Sequence, residues 1–452
     1  MRMLVPILLP VFIMAAAAAQ PAAPPTAAPA ASTSVQPVVP MPSLGPSSKD
    51  LFDAIHVVVG PSGRALDPIA IATSMCPGGD AVCDEIDRLL ERDFTVSGYF
   101  KVLPKASFLA DVAKETLAST SWPDWFNVGA KYLVKCQITQ GKTGLNAEFR
   151  LLSVTEKRII PIKGQSVSGF SKRDVRRAVH QFVNGVIDVV TGKPGIFGTQ
   201  IVLSLKTGPW ERNIVAMDMD GFNQHNVVSN GSANMFPKWA PGGGVVYTSF
   251  LPGKPSVYLG TRRITQDERE YRGAVFSHDG RLVASVDMGG QSDLVQLDPK
   301  SGAIIKTLTN SEWDEVSPSW SPDGRRIAFV SSRSGNPQVH VIDADGTNER
   351  RVTLAGSYNS GPRFGPNGLI AFSGMDGWQA DIFTVDPSGN LTRLTQDQGN
   401  NKDPSWSPDG RYLVFLSSRE GEWKVFIMTD DGRYQFALTE SAGTWATPDW
   451  GY

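Results

Sequence analysis

Six copies of one short phrase run down the C-terminal half of the 452-residue chain, and they restrict its architecture more than any other feature. The fullest copies are Pro318-Ser319-Trp320-Ser321-Pro322-Asp323-Gly324-Arg325 and Pro404-Ser405-Trp406-Ser407-Pro408-Asp409-Gly410-Arg411, with weaker ones centred on Trp239, Phe276, Phe364 and Trp450. The aromatic position recurs at intervals of 37, 44, 44, 42 and 44 residues. That is the period of a four-stranded propeller blade and too long for ankyrin or leucine-rich repeats. Six copies therefore predict a six-bladed β-propeller.

The phrase carries its own turn chemistry. In Ser-Pro-Asp-Gly, Pro presets φ, Asp bonds its own backbone and Gly accepts a positive φ, so the chain reverses into a second strand such as Ile327 to Ser331 or Leu413 to Ser417. These segments are short, apolar and β-branched or aromatic. The aromatic is expected to sit on the inner strand and pack between neighbouring blades. Residues 199–228 contain three strand-like segments with no aromatic phrase before them, and Pro448-Asp449-Trp450-Gly451-Tyr452 supplies the missing inner strand. First and last segments then share a blade, which closes the ring and leaves only short edges.

The length, with 41% apolar and 19% charged residues, allows two cores. The net charge of −2 offers no footprint for nucleic acid, and no basic amphipathic segment points to membrane insertion. Arg2, the apolar run Leu4 to Met14 and the alanines up to Ala19 read as a signal peptide over 1–19, cleaved near Ala19. Residues 20–48, rich in Pro, Ala, Ser and Thr, read as a linker of polyproline character. Residues 49–194 read as a small α/β domain and 195–452 as the propeller. Within the α/β domain, strands are expected at Ile55 to Val59, Pro68 to Ala72, Tyr132 to Thr139, Leu145 to Val154 and Arg158 to Ser168. A helix is expected from Asp84 to Phe94, and a second, opened by Ser171 with Asp174 and ended by Gly192, covers the sheet. Cys76 and Cys83 lie seven residues apart across Pro77-Gly78-Gly79, within reach of a disulfide or equally able to stay reduced, while Cys136 is expected buried and free.

The residues assemble no catalytic set. The five histidines are scattered and none forms a metal-binding spacing. Gly164 to Gly169 misses a nucleophile elbow by one position, Gly141-Lys142-Thr143 lacks the earlier glycine of a phosphate loop, and the Asp-Xaa-Asp-Gly runs at Asp218 and Asp343 read as turns. No enzyme, cofactor or metal is expected. The loops leading into each inner strand gather at the channel mouth, and their mixture of charges with Met235, Phe236, Tyr271, Trp313, Tyr358 and Trp445 has the anchor-and-rim character of a protein interface.

The order of parts resembles the TolB family, the periplasmic component of the Tol-Pal envelope system, from about Ile55 to Tyr452. Two segments carry the resemblance: Asp218-Met219-Asp220-Gly221-Phe222-Asn223-Gln224 leading to Pro237-Lys238-Trp239-Ala240-Pro241, and Val189-Val190-Thr191-Gly192-Lys193-Pro194-Gly195-Ile196-Phe197-Gly198-Thr199. The resemblance implies a monomeric, non-enzymatic periplasmic adaptor in outer-membrane integrity, cell division and protein transport. Its propeller mouth would bind the peptidoglycan-associated lipoprotein Pal through Met235, Phe236, Tyr271, Arg272, Glu315, Val316, Asn359, Ser360, Lys402, Asp403, Trp445 and Ala446. Its N-terminal segment, Ile55, His56, Val57, Val58 and Val59, would bind the inner-membrane protein TolA by strand addition. The Pro/Ala linker departs from the family, whose mature chains begin almost at that strand. Two alternatives stand beside this reading. One is a propeller that binds peptidoglycan fragments or other glycans directly. The other is the propeller module of an exported hydrolase, for which the chain carries no catalytic domain.

Overall fold

The computed structural model describes residues 56–57, 65–76, 80–441 and 443–451. The signal peptide and linker readings lie outside these residues, as do Ile55, Val58 and Val59.

The N-terminal part is a mixed six-stranded sheet. Strands Phe100–Val102, Asp67–Ile71 and Tyr132–Gln140 run parallel, and Leu145–Ser153 then pairs antiparallel with the last of them. The single strand expected over 158–168 is instead two pieces, Arg158–Ile160 and Ser166–Phe170, both paired with Leu145–Ser153. Pro161 removes a ladder donor and Gly164 turns at φ 85°, which breaks the strand between them. One face carries two long helices rather than one, α1 (Asp80–Val96) and α3 (Val175–Thr191). Ile86, Leu90 and Phe94 of α1 and Val179, Phe182, Val183 and Val186 of α3 bury against Ile69, Ile71, Val134, Phe149 and Leu151. Ser171 and Asp174 form the expected capping box before α3, and Gly192, at φ 77°, ends it. The other face is covered by a short helix that the periodicity does not reveal, α2 (Trp122–Asn127), whose Trp125 packs on Leu133 and Leu152. Cys76 and Cys83 are disulfide-bonded with Cα atoms 6.1 Å apart, and Cys136 is free and buried.

The propeller has six blades of four antiparallel strands. Blade 1 combines Gln200–Lys206, Arg212–Asp218 and His225–Val228 with the C-terminal Trp445–Gly451 as its innermost strand, with Trp445 opposite Leu205 and Trp450 opposite Ile201. The innermost strands of blades 2 to 6 are Asn234–Ala240, Tyr271–Phe276, Glu315–Trp320, Tyr358–Phe364 and Asn401–Trp406. In blade 4 the Ser321 hydroxyl donates to Asp323 (2.6 Å) and accepts from the Arg326 amide (2.9 Å), and Gly324 sits at φ 65°. The Ser-Pro-Asp-Gly turn is thus locked by its own side chains. The repeated aromatics tie blade to blade: Trp320 donates to the Val275 carbonyl (3.3 Å) and Trp406 to that of Arg363 (3.1 Å). Blade 5 gains a fifth strand, because His56–Val57 pairs in parallel with Leu391–Arg393 at its outer edge.

Both parts share one apolar cluster, which runs from Phe94 and Phe182 into Met217, Tyr412, Ile427 and Trp450. The contacts come from turns of blades 1 and 6 and from Leu438, just past the fourth strand of blade 6. Tyr412 and Tyr434 donate to the carbonyls of Ser97 (2.9 Å) and Thr95 (2.7 Å), and Arg92 donates to those of Asp220 and Leu438, both at 2.8 Å. Arg176 of α3 reaches Asp218 (2.8 Å) and Asp220 (2.9 Å).

Candidate functional site

Strands alternate in direction within a blade. The turns joining first to second and third to fourth strands therefore lie at one end of the ring, and the loops leading into each first strand lie at the other. The N-terminal part docks on the former end, through Asp218 to Phe222, Tyr412 and Tyr434. The opposite end is the mouth.

Each innermost strand opens with the same distortion. The third residue before the aromatic has a positive φ in all six blades: Phe236 (54°), Gly273 (69°), Ser317 (59°), Gly361 (60°), Asp403 (54°) and Thr447 (47°). The ladder register shifts at each of these places, as at Met235/Lys238 and Lys402/Ser405. A bulge of this kind bends the strand and re-aims its side chains. The residue two places earlier becomes a buried brace: Asn234, Tyr271, Glu315, Asn359, Asn401 and Trp445 are all buried. Glu315, whose carboxyl burial pushes above its ordinary range, accepts from Ser311 (3.0 Å), Ser331 (2.9 Å) and Arg333 (2.9 Å). Asn359 donates to Gln338 and to the Ala355 carbonyl, and Tyr271 to Asp267.

Of the residues expected to meet a partner, Tyr271, Glu315, Asn359 and Trp445 are among these buried positions. Met235, Phe236, Val316, Ser360, Lys402, Asp403 and Ala446 line the rim half-buried, and Arg272 is exposed beside Glu270 (2.8 Å). The Lys402 ammonium lies 4.3 Å from the Trp423 ring centre.

The loops between second and third strands also gather at the mouth, and the expected contact set omits them. They carry Trp210 (69% exposed), Leu251, Met288 and Trp378 (88% exposed), beside Trp313 and Leu354 on the loops into the first strands. A large apolar side chain in a tight turn, as in Gly377-Trp378 and Pro209-Trp210, is the available signal, since turns otherwise select small and polar residues.

Below the rim the channel is charged. Lys238 bonds Asp449 (2.9 Å), near Arg363 and Asp403. A cavity of about 250 Å³ lies toward the docked end, ringed by Phe276, Trp320, Phe364, Trp406 and Trp450. Burial pushes the Lys238 ammonium from 10.5 to about 8, with Arg363 pushing the same way and Asp449 opposing. The folded protein therefore binds fewer protons here than the unfolded chain between about pH 8 and 10.5, and stability rises with pH through that window. At about 1.4 kcal/mol per unit, the stability of the protein relative to a Lys238→Met variant is expected to grow by about 3 kcal/mol across it. Denaturant unfolding of both proteins at the two ends of the window reads this; a constant difference contradicts it.

Residues 187–452 match the family described as TolB beta propeller domain, and residues 55–160 the TolB amino-terminal domain. The chain is 38% identical over 275 residues to the Tol-Pal system protein TolB of Anaeromyxobacter dehalogenans, an alignment that spans 58% of this chain and 62% of that protein's length. It is 28% identical over 407 residues to the protein of the same name from Bordetella parapertussis, covering 88% and 90%. The fold is similar to the crystal structure of TolB from Acinetobacter baumannii, with a TM-score of 0.73 at 24% identity over 86% of this chain and 97% of that one.

Proposed function

The chain belongs to the TolB family, and from that premise we propose that it is a non-enzymatic periplasmic adaptor of the Tol-Pal system. The mouth takes a Pal-like peptidoglycan-associated lipoprotein, and the segment Ile55 to Val59 takes a TolA-like inner-membrane protein. The observation carrying this reading is the set of exposed Trp210, Leu251, Met288, Trp313, Leu354 and Trp378 on the propeller face opposite the one where the described N-terminal residues dock. Exposed apolar side chains collected on one rimmed surface mark interaction sites. Met235, Phe236, Arg272, Val316, Ser360, Lys402, Asp403 and Ala446 supply the mixed inner rim. For the TolA-like partner, support comes from the parallel pairing of His56–Val57 with Leu391–Arg393, since a segment that adds to one sheet edge can add to another. Among the described residues no helix is long and apolar enough to cross a membrane.

Calorimetric titration with the soluble domain of the Pal-like lipoprotein from the same organism tests the reading. Submicromolar binding is expected. Trp378→Glu should weaken it about 30-fold, the effect of losing one aromatic anchor worth about 2 kcal/mol. Absence of binding, with peptidoglycan fragments binding instead, would replace this reading with direct glycan recognition.

A further inference from the structure

Three buried side chains from three elements converge where the two parts meet. Asp93 lies on α1, His180 on α3 and Asp220 on the turn after the third strand of blade 1. One ligand-capable atom from each falls within 4.8 Å of the others. His180 Nε2 is 3.6 Å from both Asp93 Oδ2 and Asp220 Oδ2, too far for a hydrogen bond.

The second observation is independent of the clustering. Asp93 is fully buried, yet among the described residues no hydrogen-bond donor reaches either of its carboxylate oxygens, its close polar neighbour Asp220 being another carboxylate, and His180 Nε2 stands 3.6 Å from each of the two acids. Orphaned polar atoms in an interior are costly, and a carboxylate more so than an amide or hydroxyl. A tetrahedral cation bonded at about 2.0–2.2 Å holds its ligand atoms roughly 3.4 Å apart, so the two separations from His180, both 3.6 Å, need to close by only tenths of an ångström, and the two acids lie within 4.8 Å of each other.

The surroundings support an ion. Arg176 and the Phe222 amide (3.1 Å) hold the Asp220 carboxylate from outside, the role second partners play around metal ligands. The His180 ring rests 5.6 Å from that of Phe197. Asp93, Asp218 and Asp220 face two guanidiniums, Arg92 and Arg176, which leaves one negative charge when all three acids are ionised. A cleft of about 670 Å³ lined by His180, Asn184, Asp218 and Asn223 lies beside the cluster.

We propose that Asp93, His180 and Asp220 form a site for one divalent transition-metal cation, with zinc the best match to one imidazole and two carboxylates, and that the ion pins the two domains together. Titrating metal-stripped full chain with Zn²⁺ by calorimetry should find one equivalent bound, with Tm raised by saturating metal. Asp93→Asn and His180→Ala should each weaken binding by at least about tenfold, whereas His225→Ala, an exposed histidine, should not. Co²⁺ bound to the unaltered protein should show the visible bands of a tetrahedral site, a readout independent of how the variants fold. No binding, binding that Asp93→Asn leaves unchanged, or cobalt without those bands overturns the proposal; in that case Asp93 is a buried acid that holds its own proton.

Discussion

A chain ending at Thr444 is expected to lose the cooperative unfolding of the propeller. The deleted strand Trp445–Gly451 is the innermost strand of a blade whose other three strands come from the opposite end of the propeller sequence, and it pairs with that blade's second strand from Gln200 to Leu205. Without it, blade 1 presents an open edge toward the channel and blade 6 loses its neighbour, so the ring no longer closes. Trp450 alone carries much of the effect. Its ring is buried beside Tyr412 and its Nε1 donates to Thr199 (2.9 Å). Trp450→Ala should cost about 3–5 kcal/mol by the size of the cavity left. Gly451 fits only as glycine, since a Cβ there would lie 2.4 Å from Trp239 of blade 2. Thermal unfolding followed by near-ultraviolet circular dichroism should show one transition in the full chain and a broad, early one in the truncated chain. An unchanged sharp transition would mean that closure contributes little.

Much of the ring is legible because its signals are local. The period, the Ser-Pro-Asp-Gly turn and the partnerless strand at Ile201 each depend on a few adjacent residues, and the structure places them at the blade turns and the closing strand. The mouth is less legible for a physical reason. In a regular strand alternate residues share a face, but one bulge reverses that alternation. The bulges at Ser317 and Gly361 turn Glu315 and Asn359 inward, whereas spacing alone assigns them to the surface. Trp210 and Trp378 escape the same logic because turns are ordinarily connections rather than places to display a ring. The cluster of Asp93, His180 and Asp220 is invisible for another reason. Its members stand far apart in the chain on three separate elements, and no sequence spacing records that meeting.

The junction of the two domains should depend on Arg176 more than on any other surface-reaching charge. Its guanidinium spans Asp218 (2.8 Å) and Asp220 (2.9 Å), and the Asp220 side chain is fully buried. Arg176→Ala would leave two acids in the interface uncompensated, and breaking a buried pair from one side costs about 3–5 kcal/mol. Burial opposes ionisation of Asp220, yet the neighbouring His180 and Arg176 bring its carboxyl from 3.8 to about 2. A carboxyl held lower in the folded state than in the unfolded one stabilises the protein above the unfolded value, and that contribution fades as pH falls through the folded one. The stability gap between metal-free protein and its Arg176→Ala variant should therefore be full at pH 7 and shrink between about pH 4 and 2. Adding Asp218→Asn and Asp220→Asn to Arg176→Ala removes the stranded charges and should recover part of the loss at pH 7. If the triple variant is no more stable than the single one, the ion pair is not what the junction rests on, and the apolar contacts of Phe94, Met217 and Tyr412 hold it instead.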